Sequence, residues 1–257
     1  MTYIFHILKT HKSALFAFTV AFITLTIGVI SGKRNDNFTL NIVCEDSPAG
    51  NFGYEIAKAF AVSEGMRIER LLENNPDKQT AILLDNKCDL VAQPTAVIDR
   101  ENDEISYTAP FYTTRLVLLQ HLNKREISTL RQLTNETIIF ANNAAVRWRM
   151  STLSLETARA FHTKEIKEIG QDELIKRLNR DTTFVSICPE IEALNYTHLY
   201  DSLKIAIPIG FDQEYAWIVQ TEDTTLKSKM DTFITEFTET KAYRDIFAKH
   251  FKLIKQQ

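Results

Sequence analysis

The chain has 257 residues, 44% apolar and 25% charged, with 7 glycines and a formal net charge of −3. That length supplies two modest domains with cores of their own, and the composition excludes disorder, low complexity and a glycine-rich phosphate loop. Residues 1–34 hold four of the basic residues and no acid, which leaves −7 on the rest. An acidic body without a Lys/Arg stripe excludes nucleic acid as a partner.

Ala14 to Ile30, ALFAFTVAFITLTIGVI, is an uncharged run of 17 residues between Lys9 and Lys12 on one side and Lys33–Arg34 on the other. As a helix it spans about 25 Å at roughly 1.5 Å per residue, the short end of what a bilayer core needs. Only threonines interrupt it, which argues against a buried core helix, and VIS or SG is a poor cleavage site for a signal peptide. The polar lead-in and the long apolar run favour an uncleaved anchor over 14–32. Residues 1–13 are then expected in the cytoplasm and the main part in the periplasm, single-pass in the inner membrane. The balanced basic flanks do not fix that orientation, and no cysteine follows the run to carry a lipid.

After a polar linker (33–37), strand-like and helix-like segments alternate. FTLNIVCE (38–45) reads as a strand, and YEIAKAFAVSEG (54–65) as an amphipathic helix stopped by Gly65. MRIERLL (66–72) is an alternating strand, DKQTAILLDN (77–86) a helix and CDLVAQ (88–93) a buried strand. This is the rhythm of βαβ units around a parallel sheet. The second half repeats it: helix 128–133 with Ser128 as N-cap, strand 136–141, helix 144–157, strand 165–170, helix 172–178, strand 182–188, and a helix (189–196) opened by Pro189. LKIAIPI and EYAWIVQ follow as two strands, then two closing helices (225–240 and 241–251). Strand-like crossings near 114–120 and 203–210 suit a hinge, with the cleft between lobes as the ligand site.

Cys44, Cys88 and Cys188 sit in or beside apolar strands at no metal or disulfide spacing and read as buried small hydrophobes. No HExxH or GxSxG is present, so neither enzyme activity nor a cofactor is expected. Trp148 and Trp217 read as packing residues. The stretch from Cys88 to Gln120 is the most informative: a buried strand, a polar crest with Arg100 among acids, a Pro-aromatic turn and a second apolar strand. It sets Arg100 beside Gln93 and Thr95 at the C-terminal end of a strand, where open α/β sheets bind small ligands.

Five pieces in order carry a resemblance: NFGYEIAKAF (51–60), CDLVAQPTAVIDR (88–100), YTAPFYTTRLVLLQ (107–120), STLRQLTNETIIFANNAA (128–145) and KAYRDIFAKHF (241–251). From about Thr39 to Phe251 the chain resembles the family 3 extracellular solute-binding proteins, and also the N-terminal half of membrane-bound lytic transglycosylases. The resemblance implies a two-lobed α/β fold of the periplasmic-binding-protein kind (type II) after one N-terminal transmembrane helix. Lobe 1 would be 38–115 with 206–257, and lobe 2 would be 116–205. It implies a small-molecule ligand held by an Arg100 carboxylate clamp, by Thr95 and Gln93, by Asp46 as an early acid, and by the backbone at Asn143 and Ala144. Glu190 stands beside Pro189, which occupies the position of the family's ammonium-binding acid; that loss and a missing aromatic argue against a free α-amino acid. The function implied is a membrane-tethered periplasmic receptor that closes on a small anionic or peptide-like solute (amino acid, peptide or cell-wall fragment). Its partner would be an ABC permease or a cell-wall enzyme. The alternatives are a non-catalytic module related to the transglycosylases, whose catalytic domain is not expected in the six residues after Phe251, and a dehydratase using Glu190 or Glu101.

Overall fold

The computed structural model describes residues 38–98 and 103–251. The expected anchor over 14–32 and the expected clamp Arg100 lie outside the described residues. Among those described, no helix is long and apolar enough to cross a membrane.

The first lobe is built on β1 (Thr39–Cys44), α1 (Pro48–Ser63), β2 (Arg67–Leu72), α2 (Pro76–Leu84), β3 (Leu90–Ala96) and β4 (Ile105–Tyr107). β5 (Tyr112–His121) leads into the second lobe. That lobe holds α3 (Leu130–Leu133), β6 (Thr137–Ala141), α4 (Ala144–Thr157), β7 (His162–Ile166), α5 (Gln171–Leu178), β8 (Phe184–Pro189) and α6 (Glu190–Leu199). β9 (Leu203–Gln220) returns to the first lobe, which α7 (Thr224–Phe237) and α8 (Lys241–His250) complete. The strand order is β2-β1-β3-β9-β5-β8-β6-β7, with β4 also paired to β9. β1 runs parallel to β2 and β3, and β6 parallel to β7 and β8. β5 and β9 are antiparallel to each other and form the only strands shared by both lobes among the described residues. Their register shifts at Arg115–Val117 and again at Val117–Leu119, the local kink and twist that an irregularity puts into a ladder.

Helices cover each sheet because its inner strands, such as β3 and β8, are buried on both faces. On α1, Phe52, Ile56 and Phe60 recur at helical spacing and are fully buried against Leu40, Ile42 and Trp217. α4 lays Val146, Met150 and Leu153 on Leu118 and Ile138 of the second lobe, and α5 lays Leu174, Ile175 and Leu178 on its other face. All three cysteines are buried and free.

Several local expectations are corrected. α1 begins at Pro48, not at Tyr54, because Ser47 accepts a hydrogen bond from the Gly50 amide and Pro48 suits the first turn. Thr129 rather than Ser128 caps α3, in a reciprocal arrangement with Gln132. β7 ends at Ile166, near where a strand was expected to begin, and the two expected strands of 203–220 are one. Trp217 is fully buried, but Trp148 is half exposed on the outer side of α4.

Candidate functional site

A cavity of ≈ 210 Å³ lies where the C-terminal strand ends of the two lobes face each other. The first lobe contributes Glu45 after β1, Gln93–Ala96 of β3 and the first turn of α2; the second contributes Ala141–Ala145, Arg147, Ile169–Gln171 and Glu192. Strand ends gather polar groups here for a topological reason: each parallel strand hands over to a helix at the same sheet edge.

Two of the expected residues meet at the floor. Gln93 Oε1 accepts the Glu45 backbone N–H at 3.3 Å, and the Thr95 hydroxyl donates to the Gln93 carbonyl at 3.0 Å. Asn143 caps α4, its Oδ1 accepting the Val146 amide at 3.1 Å, so the first amides of the helix, at Ala144 and Ala145, open on the cavity. A helix start of this kind presents unpaired N–H groups and a positive dipole end to an anion. Arg147 lies one turn in; its guanidinium donates to Asn142 Oδ1 at 2.6 Å and pairs with Glu165.

Asp46 and Glu190 are not among the residues lining the cavity. Asp46 is exposed, with its backbone N–H directed to Asn74 Oδ1 at 3.4 Å. Glu190 accepts two bonds of 2.9 Å from Arg115, Nε and Nη2. That bidentate pair stands beside the register shift of β5, exposed enough to contribute no more than about 1 kcal/mol.

The acids that do enter the site were not singled out. Glu45 and Glu192 line both the cavity and a smaller recess behind it, which Asp172, Gln171, Asn195 and Tyr196 complete. Burial, then the Asp172 charge, pushes the Glu45 carboxyl up to about 7 against a hydrogen bond from Ser47. Burial, then the charges of Glu45 and Asp172, pushes Glu192 up to about 8. Tyr196 donates to Asp172 Oδ1 at 2.5 Å. A signal was available for Glu192: it lies four residues before Tyr196, on the face that a helix beginning at Pro189 turns inward.

The lobes touch across the cavity. Asn142 Nδ2 donates to Asp77 Oδ2 at 2.9 Å and Asn75 Oδ1 at 3.2 Å. Asn195 Nδ2 donates to the His250 carbonyl at 2.7 Å. Asn142→Ala would remove the first bridge and leave each sheet intact. The expected result is a wider distance distribution between labels on the two lobes in the ligand-free protein, with a change in thermal stability of no more than about 1 kcal/mol.

Two α/β lobes joined by two crossing strands over a polar cleft define the two-lobed periplasmic-binding-protein-like fold. Within that class the chain belongs to the bacterial extracellular solute-binding proteins, family 3, whose model matches residues 29–253. It is similar to a membrane-bound lytic murein transglycosylase F from Desulfosudis oleivorans, 22% identical over 230 residues, which cover 88% of this chain and 49% of that one. The chain thus spans about half the length of that curated relative. Among solved structures it is similar to an amino acid ABC transporter substrate-binding protein from Streptococcus pneumoniae bound to L-arginine (TM-score 0.70, 16% identity, 82% of this chain and 94% of that one). A histidine kinase sensor domain with similarity to periplasmic binding proteins matches equally well (TM-score 0.70, 13% identity, 84% and 97%).

Proposed function

We propose that this protein is a membrane-tethered periplasmic receptor that closes its two lobes on one small solute of amino-acid size. In this reading the tether is the apolar segment 14–32, and β5 and β9 serve as the hinge, with the lobes divided at 116 and 206. The observation that carries the reading is the polarity of the cavity. One end holds the α4 N-terminus and Arg147, suited to a carboxylate, and the other holds Glu45 and Glu192, suited to a cation. Glu192 thereby supplies an acid for an ammonium, which the Pro189 position lacks, so a free amino acid fits better than the sequence suggested. The cavity is smaller than the about 300–1,000 Å³ that encloses drug-sized ligands, which favours a single amino acid over a muropeptide. The solute would pass to an ABC permease or be sensed through a partner at the membrane.

Isothermal titration of the exported part with single amino acids, short peptides and muropeptides tests this. Heat is expected with at least one amino acid, and Arg147→Ala should weaken that binding by tenfold or more, the scale of a charge-assisted contact. Absence of heat with all three classes overturns the reading. A second reading, a non-catalytic partner of a cell-wall lytic enzyme, is supported by the likeness to half of a transglycosylase. Co-purification of such an enzyme with the cleft empty would favour it.

A further inference from the structure

We propose that the outer face of the second lobe, where Trp148, Leu155 and Phe211 stand exposed among arginines, rests on the surface of an anionic lipid bilayer. The inference rests on the tethered reading above and adds a second contact with the membrane, away from both the cleft and the tether.

Nine large hydrophobic residues are exposed among the described residues, and the two most exposed, Leu155 and Phe211 at 80% each, belong to this face. Singly exposed apolar side chains are ordinary, whereas a contiguous group marks a surface that something else covers. Contiguity follows from two rows along α4. Trp148, Thr152 and Leu155 form one row, at i, i+4 and i+7; Arg149, Thr152 and Glu156 form the next, with Thr152 common to both. Phe211 of β9 lies over the second row, its ring centre 5.6 Å from the Arg149 guanidinium. That guanidinium is fixed from two sides, Nε donating to the Ile209 carbonyl at 2.7 Å and Nη1 to Glu156 at 2.9 Å. Phe211 is therefore held beside the row of Trp148 and Leu155. α4 already buries Val146, Met150 and Leu153 on its inner face, so these outer apolar residues do not serve the core.

A lipid surface fits this face by composition, charge and reach. Tryptophan, phenylalanine and leucine interleaved with arginine settle at the boundary between headgroups and acyl chains. Arg147, Arg149 and Arg159 stand in or just after α4, with Glu156 as the single acid between 144 and 159. Glu165 and Glu156 pair with the first two, so charge orients the contact while the apolar row supplies its strength. The lobes differ in the same sense. Residues 116–205 hold 12 Lys and Arg against 11 Asp and Glu, so the acidity of the body falls outside the second lobe. Anionic headgroups repel the first lobe and leave the second free to approach. Reach comes from the chain. Only residues 33–38 separate the apolar segment 14–32 from β1, and six extended residues span at most about 22 Å. A body held that close meets the bilayer at an effective concentration of about millimolar, at which a few apolar side chains suffice.

The full chain reconstituted in nanodiscs of phosphatidylcholine and phosphatidylglycerol, with and without bromine on the acyl chains, tests the contact. Bromine quenches tryptophan only at short range, and of the 2 tryptophans Trp217 is fully buried in the core of the first lobe. Trp148 is thus the reporter. Brominated discs are expected to remove about a quarter or more of the tryptophan emission, because an interfacial tryptophan sits next to the first acyl carbons. Trp148→Phe should abolish that loss, and Leu155→Ser combined with Phe211→Ser should reduce it by at least about half. All three positions are exposed, and circular dichroism checks that each variant is folded. Full emission in brominated discs overturns the inference and leaves the tether standing. A chain that does not enter the discs overturns the tether, and this inference with it. Unquenched Trp148 whose emission moves to the blue as protein concentration rises assigns the face to a second copy, and a loss that survives in Trp148→Phe comes from elsewhere; either result overturns the lipid contact.

Discussion

Phe52→Ala is expected to cost about 3–5 kcal/mol, the range for emptying a phenylalanine site in a packed core. The ring is fully buried and meets six others, Phe111, Tyr112, Tyr243, Phe247, His250 and Phe251, at centroid distances of 5.1–6.5 Å. These partners come from β5, the loop before it, α8 and the residue that follows α8, all of them remote from α1 in sequence. No single neighbour can move in to fill the space without breaking its own edge-to-face contacts, so the cavity will persist rather than collapse. For a protein of this size the loss corresponds to a fall in Tm of roughly 6–20 °C. Thermal unfolding followed by circular dichroism measures it, and a fall under about 2 °C would show that the aromatic cluster repacks. Phe52 is not among the residues lining the cavity. Affinity measured well below the transition should therefore change little, which separates the core from the site.

Most of the architecture was legible because it is written in periodicity. The stripe of Phe52, Ile56 and Phe60 marks α1, the apolar run 88–93 marks β3, and Gly65, with φ +68, ends its helix as expected. What was not legible depends on partners distant in sequence. LKIAIPI and EYAWIVQ read as two strands, yet β9 is continuous. Pro208 sits opposite Val117 at the register shift, where the ladder with β5 is already irregular. β4 has three residues and exists through its pairing to Gln220, Val219 and Ile218. The site was half legible for the same reason. Gln93, Thr95, Asn143 and Ala144 follow from strand ends and a helix start, which sequence can place. Whether Glu190 or Glu192 enters the cleft depends on the phase of α6 against the other lobe. Arg115, unremarked in an apolar strand, claims the first of them.

Gly50→Ala is expected to damage binding more than its cost in stability explains. A Cβ on Gly50 would lie 2.2 Å from the Glu45 carbonyl oxygen and 2.8 Å from Gln93 Oε1. Real Cβ atoms do not approach a backbone oxygen that closely, so either the first turn of α1 or the end of β1 must shift. Gly53 stands under the same constraint, 1.7 Å from the Ala92 carbonyl oxygen, so α1 cannot simply slide along the sheet to make room. Overpacking of this kind costs about 1–3 kcal/mol. The displacement falls on Glu45, which leads into the cleft, and on Gln93, whose side chain accepts the Glu45 amide. A carboxylate held within hydrogen-bonding reach of a ligand cation loses most of that interaction when it moves by about 1 Å, so under the proposed function tenfold or greater weakening of the amino acid that binds is the expected result. Gly65→Ala supplies the comparison. Its Cβ would meet nothing within 4 Å, but its φ is +68, so it should cost about 1 kcal/mol through backbone strain and leave affinity unchanged. Denaturant unfolding and titration on the two variants separate the cases. If Gly50→Ala binds as the parent does while losing stability, Glu45 is not where the ligand's cation rests.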